Sequence, residues 1–541
     1  MSTVQTSRRA FIQRGGALVV AFALPTLDKT ARAAAAATST TMNAWLRIAS
    51  DGKVTILCGS SEMGQGVLTA IPMLVADELD ADWSRVQVEQ APADKAYNNP
   101  AFGMQGTGGS ATIRAFYLPL RRVGAAAREM LVAAAAARWG VGADQLRTDQ
   151  GQVHGPGGKK LGYGDLAAAA SKLPVPTQPR LKDPMAFKII GKPTKRLDSP
   201  DKTDGKARFG IDAQVPGLLV AVMARAPNKG AKPKPYDEAK ARTVPGVQQV
   251  IALPSGVAVL ATGYWAAKQG RDALGVEWDL GDGATPDSAT ISQRLDAAAR
   301  AAGAVALDKG QLQPALAGAA QQVQARYEAP YLAHACMEPM NCTAWVQGTG
   351  PDATVEIWAG TQSQGPAQGI LGQVAQVAPG QVKVHTLMLG GGFGRRFAPD
   401  FAVDATLLSK ISGQPVKLMY TREDDMAAQY YRPASVAVFE AGLDAQGRPV
   451  ALKAGVGSPS IMAASGFLSI PPSGVDSMAL EGLVDHPYAI PNQHIAYGRD
   501  EPGPQVWFWR SVGHSQNSFF SEGFIDELAA AAKQDPFEFR R

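Results

Sequence analysis

Apolar and polar residues alternate from Trp45 to Leu57, with Leu46 and Ile48 before Asp51-Gly52 and Val54 and Ile56 after it, which predicts a β-hairpin. The stretch "SSEMGQGVLTAI" at 60–71 then breaks the pattern with glycines, and an apolar run of helical period continues to Leu79. A second glycine break, "MQGTGGSATI" at 104–113, precedes a long Ala-rich helix reaching Arg138, with Pro119 as the place for a bend. Short β-rich runs follow at 217–223, 247–253 and 256–261, with a helix expected at 264–274, which together suggest a compact α+β module. The stretch 296–325, rich in Ala and Gln, is expected to be helical or loosely structured. Residues 382–388 are β-prone, "LGGGFGRR" fills 389–396, and 401–411 predicts a helix. Strand, glycine loop and helix therefore occur in succession three times.

These patterns give an α+β, multidomain chain. Its expected segments are a leader at 1–33, a spacer at 34–43, a first large region at 44–175, a Pro-rich connector at 176–200, a small α+β module at 201–285, an Ala/Gln-rich connector at 286–325 and a second large region at 326–541. The leader carries Ser7-Arg8-Arg9-Ala10-Phe11, an apolar run from Gly15 to Leu27 and Ala31-Arg32-Ala33 as a cleavage site. It predicts export by the twin-arginine route to the periplasm, in the folded state. A membrane span needs about 20 apolar residues, and this run is shorter and contains Pro25, so the protein is not expected to be integral to the membrane. At the other end, Asp535-Pro536 with Glu538 has the form of a helix start, yet the sequence stops one turn later. The expectation is a chain incomplete at its C-terminus.

Charge narrows the partners. The net +5 includes +4 within residues 1–33, leaving about +1 on the rest, so no nucleic-acid-binding stripe is expected. The three cysteines, Cys58, Cys336 and Cys342, form no C-x-x-C. An iron–sulfur cluster usually takes four thiolates, so none is expected here; FAD is not expected in this chain either, and any electrons must leave through a partner.

Glycine loops let backbone N–H groups approach a ligand, and a following helix N-terminus favours negative charge. Neither the dinucleotide fingerprint nor a phosphate loop of the G-K-[ST] type is present, because Arg395 stands where the fingerprint needs glycine. Three loops together point to a large anionic cofactor, with Gln65 and Ser110 adding directed hydrogen bonds. Two rival sites are visible. His334 and Glu338, with Cys336 and Cys342, have the residue types of a zinc site, although Cys336 falls on another helical face and Pro339 interrupts a helix. Thr421-Arg422-Glu423-Asp424-Asp425 offers paired acids but reads as a solvated loop, and no hydrolase motif accompanies it.

"SEMGQG", "GTGGS", "TQSQG" at 361–365, "LGGGFGRR" and "WRSVGHSQNSFFSEGFIDELA" at 509–529, in that order, resemble the molybdenum-binding large subunits of the xanthine dehydrogenase and aldehyde oxidase family. The order is that of its exported branch, typified by the isoquinoline 1-oxidoreductase beta subunit, and 205–280 resembles the family's hammerhead domain. The resemblance implies a molybdenum-pyranopterin dinucleotide, in the cytosine form, whose dithiolene holds the metal, so that no side chain ligates it directly. Gly64, Gln65, Gly66, Gly108, Gly109 and Ser110 would grip the pterin and phosphates. Gly391, Gly392 and Gly394 would hold Phe393 beside the metal, Gln362 would hydrogen-bond an oxygen ligand of molybdenum, and Arg510 would orient substrate or stabilise its charge. Arg395 would offer charge near the phosphates, while a solvated surface role suits Arg396 at least as well. The implied reaction is hydroxylation of N-heterocycles of the isoquinoline type, or oxidation of aldehydes, with oxygen from water. A small [2Fe–2S] subunit and a cytochrome c would take the electrons. The family's general-base glutamate falls in a motif beyond Arg541, leaving Glu440 and Glu522 as the first candidates within this sequence. An inactive fragment binding the cofactor weakly or not at all is the open alternative.

Overall fold

The computed structural model describes residues 18–21, 44–228, 230–281, 286–301, 303–427 and 430–541. The leader and spacer lie outside these residues, except that the backbone of Leu18–Ala21 pairs antiparallel with Ala44–Ile48. The chain forms two compact units, each discontinuous in sequence. One comprises Met1–Leu218, Asn341–Gly391 and Pro399–Val416, and the other Leu219–Met340, Gly392–Ala398 and Lys417–Arg541. The sequential segments are thus cut across, and the glycine loop at 389–396 passes from one unit to the other.

In the first unit, strands β1 (Leu18–Ala21), β2 (Ala44–Ile48), β3 (Val54–Cys58) and β4 (Val86–Gln90) form a sheet in that order. Leu46 faces Ile56 across the predicted hairpin. Strands β3 and β4 run parallel, so helix α1 (Val67–Leu79) is their crossover. Helix α2 (Ala111–Trp139) runs beside it with Pro119 inside. Both helices bury their apolar faces with Trp45, whose ring meets Tyr97 at 4.7 Å and Phe116 at 5.5 Å. Burying each large side chain here contributes about 1.5–3 kcal/mol. The unit is completed by strands Asn341–Gln347, Thr354–Ala359 and Val382–Thr386, with Gln364–Ala375 as the helical crossover between the last two.

The Pro-rich connector is a bonded strap. Helix α1 carries buried carboxylates, and buried charge requires donors. Asp77 Oδ2 accepts from Ile189 N at 2.9 Å and Ile190 N at 2.8 Å, Glu78 pairs with Arg121, and Leu197 N donates to Thr69 Oγ1 at 2.9 Å.

In the second unit, strands Leu219–Arg225, Val247–Leu253 and Gly256–Ala261 are antiparallel and are followed by helix Tyr264–Ala273, close to the expected elements. A five-stranded sheet has the order Ala304–Lys309, Asn492–Arg499, Pro449–Ser458, Ser435–Leu443, Gln321–Ala329. Helix α3 (Ser288–Arg300) lies flush on one face, where a Cβ at Gly455 or Gly457 would meet its carbonyls at 2.0 Å. Helix α4 (His514–Ala531) packs through Phe520, Phe524 and Leu528 with Phe439 and Tyr327.

Two expectations are corrected. The 296–325 stretch contains the end of α3, the strand Ala304–Lys309, a short helix Leu312–Ala317 and the start of Gln321–Ala329. Its strands form because partners remote in sequence, such as Ile495 for Leu307, supply the ladder that local composition does not reveal. The acidic run at 421–425 is solvated at Arg422 and Glu423 but is no loop: Arg422–Ala427 is helical, and Asp425 is buried, accepting from Met340 N and pairing with Arg422 at 3.2 Å. The helix start at Asp535 forms as expected, its carboxylate capping Phe537 N and Glu538 N. No helix among the described residues is long and apolar enough to cross a membrane.

Candidate functional site

The first unit brings together the loops at 60–66, 104–110, 361–364 and 389–391. Ser61 N donates to Thr107 Oγ1 at 2.9 Å, Ser61 Oγ donates to Thr361 O at 2.6 Å, and Gln364 Nε2 donates to Ser61 Oγ at 2.6 Å. Thr107 N and Gln362 O pair at 2.8 Å, while Gln362 Nε2 returns a bond to Thr107 O at 3.0 Å. Leu389 N donates to Glu62 O at 3.0 Å, tying in the start of the third glycine loop. Gln362 is buried in this weave, and Gly391 leads out of it with φ 97°.

Glu62, unassigned from sequence, organises the first loop. It is 1% exposed. Its carboxylate accepts from Gly64 N at 2.9 Å, Gly66 N at 3.1 Å and Leu68 N at 3.2 Å, and Arg196 of the strap donates to it at 3.0 Å. The N-terminus of α1 is therefore capped by an internal carboxylate. Gln65 folds its amide onto the same loop, accepting from Met63 N and donating to Ser61 O, with one further N–H remaining to it.

Helix α2 differs. Its N-cap residue Ser110 sits at φ 51° and makes no side-chain cap, and Gly109 and Ser110 are exposed. A Cβ at Gly64 or Gly108 would meet nothing within 4 Å. Open backbone before an uncapped 29-residue helix has the geometry and the dipole to receive an anion. The buried Gln364 Oε1 has no hydrogen-bond partner among the described residues. The open N-terminus of α2 fits the anionic part of a large cofactor, and the Gln364 oxygen, an acceptor, fits a hydrogen-bond donor on it.

In the second unit, Phe393 is held at φ 54° between Gly392 and Gly394. Arg395 is buried, its guanidinium 4.9 Å from the Tyr430 ring centroid. Arg396 is 0% exposed and donates to Glu338 Oε2 at 2.9 Å and Glu338 O at 2.7 Å. The surface reading of Arg396 is corrected, because a guanidinium so placed is retained only with a carboxylate and carbonyl to receive it. His334 and Phe508 O stand 2.7 Å apart through Nε2, so that nitrogen carries the proton and donates. Burial lowers the His334 pKa to about 4 and raises that of Cys336 to about 11. Neither forms a metal site: residues 331–340 contain no helix, and no group of three or more His, Cys, Asp or Glu among the described residues could hold a metal ion. Arg510 is exposed just beyond Phe508. Buried indole N–H groups of Trp507 and Trp509 lack partners among the described residues.

The fallback acids are engaged elsewhere. Glu440 faces Gln324 at 3.3 Å and Lys453 at 3.9 Å, and Glu522 receives Tyr488 Oη and Arg540. Glu62, Arg196, Gln364 and the contact of His334 with Phe508 are not announced by the sequence pattern. Only Glu62 carried a local signal, a carboxylate two residues before the N–H of an open glycine.

Two molybdopterin cofactor-binding domain families match, one over residues 3–209 and one over 297–541. The chain is 33% identical, over 99% of its length and 75% of the relative's, to the beta subunit of isoquinoline 1-oxidoreductase from Brevundimonas diminuta. It is 32% identical to the membrane-bound aldehyde dehydrogenase (pyrroloquinoline-quinone) of Gluconacetobacter polyoxogenes, over 92% of this chain and 66% of that one. A nicotinate dehydrogenase subunit of Pseudomonas putida is 27% identical over 92% of this chain and 42% of its own. Quinoline 2-oxidoreductase from Pseudomonas putida 86 shares the fold, with a TM-score of 0.51 at 19% identity over 65% of this chain and 49% of its own. The chain thus spans between 42% and 75% of these proteins. It belongs to the molybdopterin-binding subunits of the xanthine dehydrogenase family, whose members are molybdenum-dependent oxidoreductases.

Proposed function

We propose that this subunit, in its whole enzyme, hydroxylates N-heterocycles of the isoquinoline type or oxidises aldehydes, taking oxygen from water. The bound molybdenum-pyranopterin, in the cytosine dinucleotide form, supplies the two-electron oxidation. The residues of this chain seat and shape it. The N-terminus of α2 with Gly108, Gly109 and Ser110 receives phosphate oxygens, Gln65 and Gln362 offer directed amide bonds, and Gly64 and Gly66 keep the loop open. Gly391, Gly392 and Gly394 present Phe393, which excludes water, and Arg510 orients the substrate and steadies charge developing on it. Arg395 contributes positive potential from its stack on Tyr430. A small [2Fe–2S] subunit receives the electrons and passes them to a cytochrome c. The Arg8-Arg9 leader directs the folded protein to the periplasm.

The observation that carries this reading is the uncapped N-terminus of α2, open at Gly108 and bonded through Thr107 to the Gln362 loop. The test is a dye-linked assay of the enzyme, co-expressed with its iron–sulfur partner, on isoquinoline, nicotinate and a simple aldehyde in ¹⁸O-labelled water. Labelled product from at least one substrate is expected. A molybdenum-loaded enzyme that turns over none of them overturns the reading.

A further inference from the structure

We propose that His334 is a positioning residue for Arg510: its hydrogen bond to the Phe508 carbonyl latches a strained turn that aims the arginine. The inference rests on the role of Arg510 in the proposed function.

The turn after Arg510 has an unusual backbone. Ser511 lies at φ 70° and Val512 at φ 49°. Left-handed conformation is costly for any residue with a Cβ and most so for a β-branched one. Two in succession persist only where the surroundings over-determine the path.

Both ends of the turn are fixed. At Phe508, the His334 ring donates to the carbonyl at 2.7 Å. Gly394 closes on the same carbonyl, where a Cβ would stand 2.1 Å from the oxygen. Upstream, Tyr430 N and Tyr431 N donate to Gln505 O at 3.1 and 3.0 Å, and Trp507 N donates to Tyr431 O at 2.9 Å. At the far end, a Cβ on Gly513 would lie 2.2 Å from Met478 O. Helix α4 starts at His514 and is anchored by Asn517 Nδ2 to Ala479 O and Glu481 O at 2.8 and 2.9 Å. Within the turn, Val512 N donates to Trp509 O at 2.7 Å. Between these anchors the chain passes through the left-handed region, and Arg510 projects from the strained bend. Ala335, next to His334, and Phe393, next to Gly394, are themselves left-handed at φ 51° and 54°, so the elements that clamp Phe508 are held in unusual shapes as well.

Release of the latch lets the turn relax, which removes the strain and the aim together. Two substitutions separate these effects. H334F keeps a ring of similar size but removes the donor, whereas H334Q restores one. V512G removes the penalty for positive φ without disturbing either anchor.

Stability comes first, because it requires no turnover. Glycine also gives up the half-buried valine side chain and loosens the unfolded chain in both backgrounds, so the strain shows as a difference: V512G is expected to shift Tm about 1–3 °C more favourably in the wild-type background than in the H334F background, where the strain has already gone. An equal shift in both overturns the latch. Kinetics of the molybdenum-loaded enzyme then test the aim. H334F is expected to lower kcat/KM about tenfold at unchanged molybdenum content, H334Q to recover most of it, and H334F in an R510M background to cost nothing more. A full further loss in R510M means that His334 does not act through Arg510. A wild-type enzyme that holds metal but turns over no substrate sinks the proposed function and the aiming role with it, while the paired Tm values still decide the latch.

Discussion

Replacing Glu62 with alanine should damage both the fold around the first loop and its ability to hold cofactor. The carboxylate accepts from three backbone N–H groups at 2.9, 3.1 and 3.2 Å and sits 1% exposed. Each hydrogen bond to a charged group is worth about 1.5–3 kcal/mol net, and such values do not simply add. The Arg196 partner is about one-third exposed, so solvent screening leaves that contact about 1 kcal/mol at most. Loss of the group should therefore cost about 3–5 kcal/mol, by analogy with breaking a buried charged cluster. That corresponds to a fall in Tm of about 6–10 °C. E62Q keeps one carbonyl oxygen for Gly64 N and Gly66 N and should lose about half as much. Thermal melting followed by circular dichroism, with molybdenum and pterin measured on the same samples, reads both effects. An E62A variant that melts within about 1 °C of wild type, or that retains full cofactor despite a large loss of stability, refutes this role for Glu62.

R396M should destabilise the second unit by about 3–5 kcal/mol, because it leaves the Glu338 carboxylate buried without its guanidinium. The double variant R396M/E338Q should recover part of that loss in a denaturant melt, and equal midpoints for the two variants would refute the buried pair. Acid sensitivity should follow His334, whose folded pKa of about 4 lies below its ordinary value of 6.5. The unfolded chain binds the extra proton between those values, so stability is full above about pH 6.5 and declines by about 3 kcal/mol as pH falls to 4. H334F should flatten this slope by about one proton, as read from midpoints across pH 4–7; an unchanged slope contradicts the assignment.

Much of the architecture was legible where the signal is local. The hairpin at 44–58, helices α1 and α2 and the strand-loop-helix at 382–412 follow from alternation, helical period and glycine breaks. The strands Ala304–Lys309 and Gln321–Ala329 were not legible, because their ladders are completed by residues far away in sequence. The site divides in the same way. Glycine runs mark tight, side-chain-free backbone, and they pointed to the loops at 64–66 and 108–110, both with glycines at positive φ. The buried state of Arg396 depends on Glu338, 58 residues away, and the His334 contact spans 174 residues to Phe508. Neither pairing leaves a periodic trace. Glu62 was within reach, but its three acceptor bonds emerge only when the loop curls back over the carboxylate.

Whether the glycine loops seat a molybdopterin dinucleotide, as proposed, is decided by Gly108→Val. A Cβ there meets no protein atom within 4 Å, so the variant should fold normally while its side chain occupies the space assigned to phosphate oxygens. The measurement is molybdenum and released cytidine nucleotide per folded chain. Wild type should carry about one of each and Gly108→Val less than about a tenth, while the cofactor-free forms of the two should melt alike, bound cofactor itself raising Tm. Full cofactor in Gly108→Val, or none in wild type, would contradict the account.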